Sequence, residues 1–355
     1  MKFGKRIRLI RTTQLEDIPV ELIHRIQSFL PEKEAARTCV LSKSWLHAWS
    51  TIPTLRFTQK QESGNMNLID RTLVRYFRDN MSIESFHLDI EIKNQESAFI
   101  VETWIQQLVS KRSLKELHLT IKSDECLFTL SHEIFLSENL KTLRLRGDRW
   151  FVSNLKLVKC VFLRELELMD FEITEDVIDN LTNVFPLLEK INLSCLSGLT
   201  TVKVKNFRYL RELRIAPREE IHLEIDNVPN LRLFHYNSLF NCLNKIVSYS
   251  NVDSLGNVKE LVLSGMSMDD DPFFDSMISS IFPSLEILTL ENPSWSKNTL
   301  NMSNVVLKKL TLRLGEYKPI KVQINAPNLI LFCYKGYTIP NLEFLTVSPN
   351  ESALN

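Results

Sequence analysis

Residues 284–292 read SLEILTLEN, and this short phrase decides the fold. It carries three leucines, Leu285, Leu288 and Leu290, in the order L-x-x-L-x-L. In an extended chain Leu288 and Leu290 point to one face, while Ile287, Thr289 and Glu291 point to the other. Moving outward in both directions, the phrase returns. It appears as SLKELHLTI from Ser113, NLKTLRLRG from Asn139, FLRELELMD from Phe162, LLEKINLSC from Leu187 and YLRELRIAP from Tyr209. It continues as NLRLFHYNS from Asn230, NVKELVLSG from Asn257, VLKKLTLRL from Val306 and NLILFCYKG from Asn328, with a divergent first copy, SIESFHLDI, from Ser82.

The leading apolar residues are Ile83, Leu114, Leu140, Leu163, Leu188, Leu210, Leu231, Val258, Leu285, Leu307 and Leu329, set 21 to 31 residues apart. Most of these gaps fall in the roughly 20–29-residue period of a leucine-rich repeat. The pattern therefore predicts an α/β solenoid whose stacked strands form one parallel sheet on its concave face. Longer copies leave room for a helix on the back. Asp271 and Pro272 open one such helix, through Phe273, Met277, Ile278 and Ile281. Thr174 opens another, through Val177, Ile178, Leu181 and Val184. Shorter copies return extended, as in IHLEIDNVPNL and IKVQINAPNL, which read as strands on the back. Segments 66–79 and 97–110 are expected as helices bridging to what precedes the array. IPNLEFLTV, with Leu342, Leu345 and Val347, is expected as a closing strand.

The outward positions form a column: His118, Arg144, Glu167, Asn192, Arg214, His235, Val262, Thr289, Thr311 and Cys333. Glu116, Arg146, Glu165, Lys190, Glu212, Glu260, Glu291, Lys309 and Arg313 flank it. Its mixed signs suit a protein partner better than a polyanion. His118, Arg144, Glu167, Asn192, Arg214, His235, Thr289 and Thr311 are the candidate target-contacting residues. A surface contact is the expected role of His118 and His235, in preference to a metal-ligand role.

Ahead of the array stands Leu15–Phe57, LEDIPVELIHRIQSFLPEKEAARTCVLSKSWLHAWSTIPTLRF. Asp17 is read as an N-cap with Pro19 in the first turn. Leu22, Ile23, Ile26, Phe29 and Leu30 recur at helical spacing. Leu30-Pro31 ends that helix. Two short helices follow, Glu32 to Val40 and Ser42 to Trp49, with Trp45 and Trp49 one turn apart. Three short helices hold too little material for a self-sufficient core.

This segment resembles an F-box, in its plant form. The residues that carry the resemblance are Ile18-Pro19, Leu22, Ile26, Ser28, Leu30-Pro31, Val40-Leu41-Ser42-Lys43, Trp45 and Trp49. Ile18 stands where leucine is commoner, and Ser44 and Leu46 where basic residues are common. The extended returns and the helices after the module likewise resemble plant F-box/leucine-rich-repeat proteins. The resemblance implies docking onto a Skp-family adaptor, and through it a cullin and a RING subunit, by Ile18, Pro19, Leu22, Ile26, Leu30, Pro31, Val40, Leu41 and Trp45. It implies a chain that is α+β overall, with a helical F-box followed by the solenoid. The expected division is a basic tail at 1–13, the F-box at 14–57, a bridging segment at 58–80 and the solenoid at 81–350. The array closes its own core and leaves the stripe of the module for an outside partner.

Composition narrows the function classes. The 355 residues hold 43 basic and 43 acidic side chains, a formal net charge of zero, which speaks against a nucleic-acid binder. No apolar run approaches a membrane span. The basic start, with Lys2, Lys5, Arg6, Arg8 and Arg11, lacks the apolar stretch of a secretory signal. Six dispersed cysteines with no CxxC pair fit a reducing compartment, cytoplasm or nucleus, and no disulfide frame or zinc site. The histidines form no HExxH, and no G-x-S-x-G, Walker or GxGxxG motif occurs. Asp269-Asp270-Asp271 reads as an acidic helix start. No catalytic residues, metal or cofactor are expected. The reading is a non-catalytic substrate receptor of a Skp–cullin–F-box ubiquitin ligase. The alternatives are a scaffold that binds the adaptor without promoting degradation, and a sensor that uses the concave face for a hormone-like small molecule.

Overall fold

The computed structural model describes residues 18–30, 32–58, 65–123, 132–152, 160–173, 175, 178, 181–237, 255–265, 274–292, 299–315 and 321–345. The expected basic tail, the caps Asp17, Thr174 and Asp271-Pro272, and Val347 lie outside the described residues, as does the docking candidate Pro31.

Twelve strands form one sheet: β1 (Thr54–Thr58), β2 (Ser85–Ile92), β3 (Glu116–Ser123), β4 (Thr142–Val152), β5 (Glu165–Ile173), β6 (Lys190–Leu196), β8 (Glu212–Pro217), β10 (Leu233–Asn237), β11 (Glu260–Ser264), β12 (Ile287–Glu291), β14 (Lys309–Arg313) and β16 (Leu331–Lys335). They lie in that order, every neighbouring pair parallel. A second sheet, β13 (Thr299–Ser303), β15 (Lys321–Asn325) and β17 (Asn341–Phe344), and a pair, β7 (Thr201–Lys205) with β9 (His222–Asp226), are made by the extended returns. The strand expected to close the array, β17, pairs with β15 and so belongs to this second sheet.

The repeat phrase explains the stacking. Its leading residues from Ile83 to Leu307 are buried, each at 1% exposure or less. The residue after each leader then hydrogen-bonds back to the preceding coil. The amides of Lys115, Lys141, Arg164, Glu189, Arg211, Arg232, Lys259, Glu286, Lys308 and Ile330 bond to the equivalent carbonyl one coil earlier at 2.7–2.9 Å. The residue before the leader repeats the device with its side chain. Asn139, Asn230, Asn257 and Asn328 donate Nδ2–H to carbonyls of the preceding turn at 2.7–2.9 Å. Polar groups at the turns are thereby satisfied within the stack. Asn206 and Asn227 hold equivalent left-handed turns, φ 63° and 52°, a conformation asparagine tolerates, and their side chains bond each other.

The module has helices α1 (Val20–Ser28), α2 (Glu32–Arg37) and α3 (Lys43–Ser50), with a 3₁₀ turn at Thr38–Val40. Ser42 caps α3 by accepting from the Trp45 amide, as its sequence predicts. Pro19 stands at the N-cap of α1, one place ahead of the expected first turn, and its carbonyl accepts from the amides of Leu22 and Ile23.

The array starts earlier than the boundary at 81. Ile52-Pro-Thr-Leu55-Arg-Phe57 is itself a copy of the phrase. Ile52 and Leu55 are buried in the main core, and β1 pairs with β2. The helices expected as bridges, α4 (Asn65–Arg78) and α5 (Gln95–Val109), follow β1 and β2 and bury Leu73, Tyr76, Val101 and Leu108 in the same core. Trp104 Nε1 on α5 donates to Asp70 on α4 at 2.9 Å. The module is fastened to this first coil. Tyr76 donates its hydroxyl to the Ile52 carbonyl at 2.9 Å, Arg75 donates to the Ser50 carbonyl at 3.1 Å, and Trp49 packs on the main core. The array therefore does not close its core without help from the segment that leads into it. Two buried helical pieces flank later strands, at Leu181–Val184 (α6) and Phe274–Ile281 (α7), with Ile178, Leu181 and Ile278 inside.

Candidate functional site

The module divides its apolar side chains between two faces. Ile23, Trp45 and Ala48 form a small core, at 0%, 4% and 0% exposure, with Ile18 and Val20 against it. Gln27 is buried too and knits the helices together, donating to Thr38 Oγ1 at 2.9 Å and to the Trp45 carbonyl at 3.3 Å. His24 Nε2 donates to the Ala48 carbonyl at 3.0 Å, and burial lowers its pKa against that bond.

The other face is open. Leu22, Ile26, Phe29 and Leu30 are exposed, and so are Val40, Leu41 and Leu46. Leu22 and Ile26 share one exposed side of α1 at i, i+4, while Ile23, beside them on the helix surface, turns into the core. Two expectations are corrected. The apolar stripe is not one surface, because Ile23 turns inward. Trp45, expected among the docking residues, is core, and Ile18 is half-buried against that core, whereas Pro19 stands exposed. Phe29 and Leu46 join the exposed set, which sequence reading left out of the docking list. So much exposed apolar surface on so small a module makes this face a candidate interaction surface.

The second surface is the outer face of the twelve-stranded sheet. The expected column is held in strict register: His118, Arg144, Glu167, Asn192, Arg214, His235, Val262, Thr289, Thr311 and Cys333 oppose one another in turn. It extends two places further, through His87 to Arg56, because β1 and β2 belong to the sheet. Thr311, expected as a contact, is 8% exposed and thus largely withdrawn. Arg144 sits between carboxylates, 3.2 Å from Glu165 and 3.9 Å from Glu167, and Lys190 reaches Glu165 at 3.0 Å. Burial pushes the Glu165 carboxyl up, but hydrogen bonds from Lys190 and Arg144 outweigh it and hold the group below the usual range. From Val262 onward the column is neutral.

Its histidines are half-buried and neutral at pH 7. Burial, then the neighbouring His87 and Arg144, brings His118 down to about 3. Burial and Arg56 lower His87, and burial and Arg214 lower His235. Nε2 of His118 and of His235 is buried with no hydrogen-bond partner.

Between the module and the first coil lies a cleft of about 620 Å³. Leu30, Trp49, Ile52, Arg56, Arg71 and Tyr76 are among its lining residues.

No protein-family model matches the chain. Three proteins of Arabidopsis thaliana are similar to it. A putative F-box/FBD/LRR-repeat protein is 24% identical over 95% of this chain and 74% of its own length. F-box/LRR-repeat protein 25 is 29% identical over 61% of this chain and 81% of its own length. A putative F-box/LRR-repeat protein is 31% identical over 50% of this chain. The chain is similar to plant F-box/LRR-repeat proteins. Its match spans 37% of the last relative's length and 47% of a further putative F-box/LRR-repeat protein. No helix among the described residues is long and apolar enough to cross a membrane.

Proposed function

We propose that this F-box/LRR chain is the substrate-recognition subunit of a Skp–cullin–F-box ubiquitin ligase. The observation that carries the reading is the exposed set Leu22, Ile26, Phe29, Leu30, Val40, Leu41 and Leu46, left open beside a small core of Ile23, Trp45 and Ala48 while Trp49 packs on the array. A Skp-family adaptor covers that face. The outer face of the sheet takes the target protein, with Arg144, Glu167, Asn192, Arg214 and Thr289 offering mixed charge and hydrogen bonds. The chain performs no covalent step. It raises the concentration of target at the ligase by holding both at once. Co-purification with a Skp-family adaptor tests the docking half, and target half-life with and without the module tests the delivery half. Unchanged turnover on removal of the module supports the scaffold reading instead.

The cleft of about 620 Å³ favours one further reading, a small-molecule sensor. Its arginine and aromatic lining suits an amphipathic anion. Ligand-dependent thermal stabilisation, abolished by Arg71→Ala, is the expected signature.

A further inference from the structure

The register of β2 on β3 builds a four-residue patch on the outer face of the sheet. Ser85 opposes Glu116, and His87 opposes His118. Within each strand the two residues stand at i and i+2, so all four side chains share one face. Among the described residues, His87, Glu116 and His118 are the group of three whose donor atoms converge, within 4.8 Å of one another. The two imidazole rings lie 3.9 Å apart, centroid to centroid.

We propose that His87, His118 and Glu116 form a divalent transition-metal site, with zinc the metal that this donor set favours. Two imidazoles and one carboxylate are the donor types of a zinc centre that keeps a fourth position open. Ligand bonds of about 2.0–2.2 Å set donors roughly 3–4 Å apart. Closing the trio from 4.8 Å therefore needs about an ångström of side-chain adjustment, with the backbone held by the sheet.

The surroundings are those of a ligand set. Ser85 donates its hydroxyl proton to Glu116 Oε2 at 2.8 Å. With that proton committed, its oxygen accepts from His87 Nε2 at 2.9 Å. This fixes the His87 tautomer and leaves its Nδ1 with the lone pair that a metal takes. A hydrogen bond of this kind from the far nitrogen orients metal-binding histidines and tunes their basicity. Two cations flank the patch, Arg56 and Arg144, and Arg144 is already countered by Glu165 and Glu167. A fourth position is left to water or to a donor side chain of a protein bound at the outer face of the sheet.

The test is titration of the full chain with Co²⁺, followed by visible absorption, and with Zn²⁺, followed by calorimetry. The expected result is one ion per chain with nitrogen–oxygen ligand-field bands and no sulfur-to-cobalt charge transfer. That last feature separates this site from the thiols. His118→Gln and His87→Gln are expected to abolish binding. Ser85→Ala, which removes only the supporting hydroxyl, is expected to weaken it about 10- to 100-fold. His235→Gln, on the same face with its own unpartnered nitrogen but no converging donors, is expected to bind as wild type. Circular dichroism of each variant confirms the fold, and Glu116→Gln supplies a near-isosteric second test of the trio. No cobalt bound by the wild type, or wild-type binding by His118→Gln or Glu116→Gln, overturns the assignment. Equal loss in His235→Gln overturns it as well.

Discussion

Replacing Tyr76 by phenylalanine tests whether the helical module and the array are one folding unit. Tyr76 is fully buried in α4, and its hydroxyl donates at 2.9 Å to the carbonyl of Ile52, the residue where the module runs into β1. Phenylalanine keeps the ring and its packing but leaves the Ile52 carbonyl without this donor. A lost buried hydrogen bond of this kind costs about 1–2 kcal/mol. The same environment supplies an internal check. Burial, opposed by the charge and hydrogen bond of Arg75, pushes the Tyr76 hydroxyl from 10.0 up to about 12. The unfolded chain therefore loses this proton first. The stability tied to it is intact below pH 10 and is lost as pH rises from about 10 to about 12, in total about 3 kcal/mol. By pH 11 roughly 1 kcal/mol of it is gone from the wild type and none from the variant. Urea denaturation of both proteins, followed by tryptophan fluorescence at pH 7 and at pH 11, reads the difference directly. Tyr76→Phe is expected to be less stable at pH 7, with the gap nearly closed at pH 11. Equal stability at pH 7, or a gap that does not narrow, refutes the claim that this contact joins module and array.

Two further outcomes follow from the burial pattern and the histidine column. Leu213→Ala, at a fully buried sheet position, is expected to cost about 2–5 kcal/mol, whereas Leu22→Ala, at 52% exposure, stays within about 0.5 kcal/mol; thermal unfolding of the two checks this. His118 is held far below its ordinary 6.5, so the unfolded chain takes up a proton there that the folded chain refuses. Stability is therefore full above about pH 6.5 and falls as pH drops below it, and His118→Gln is expected to flatten that slope in melting curves taken between pH 7 and pH 5.

The repeat phrase made the array legible because its signal is redundant. Each copy from Ile83 to Leu307 places a leading residue that is buried on folding, and the outward residues then fall into register without further information. The back-side strands were legible for the same reason, through alternation in IHLEID and IKVQIN. The first coil was hidden because Ile52-Pro-Thr-Leu55-Arg-Phe57 sits directly behind a helix and reads as its trailing end. With β1 missed, Arg56 was left off the column, and the divergence of SIESFHLDI left His87 off it as well. Yet His87 occupies the same place in SIESFHLDI as His118 does in SKRSLKELHL's final phrase, so the pairing was available from the alignment of neighbouring copies. The module was less legible. Helical spacing groups Trp45 with Trp49, but α3 lies between two cores, and Trp45 enters the module's own while Trp49 packs on the array. Spacing fixes which side chains share a face and leaves open what that face meets.

The central claim is that the open face of the module docks an adaptor. Leu22→Asp with Ile26→Asp changes two exposed side chains and leaves Ile23, Trp45 and Ala48 untouched. Each side chain is about half exposed, so its remaining burial at an interface is worth roughly 1 kcal/mol, and losing both weakens binding by at least about 10-fold. The decisive measurement is the dissociation constant of the full chain for a purified Skp-family adaptor, wild type against the double variant. Tight binding by the wild type and a loss of that size in a variant that still folds is the predicted result. Equal affinity of the two proteins, or no binding by the wild type, contradicts the account.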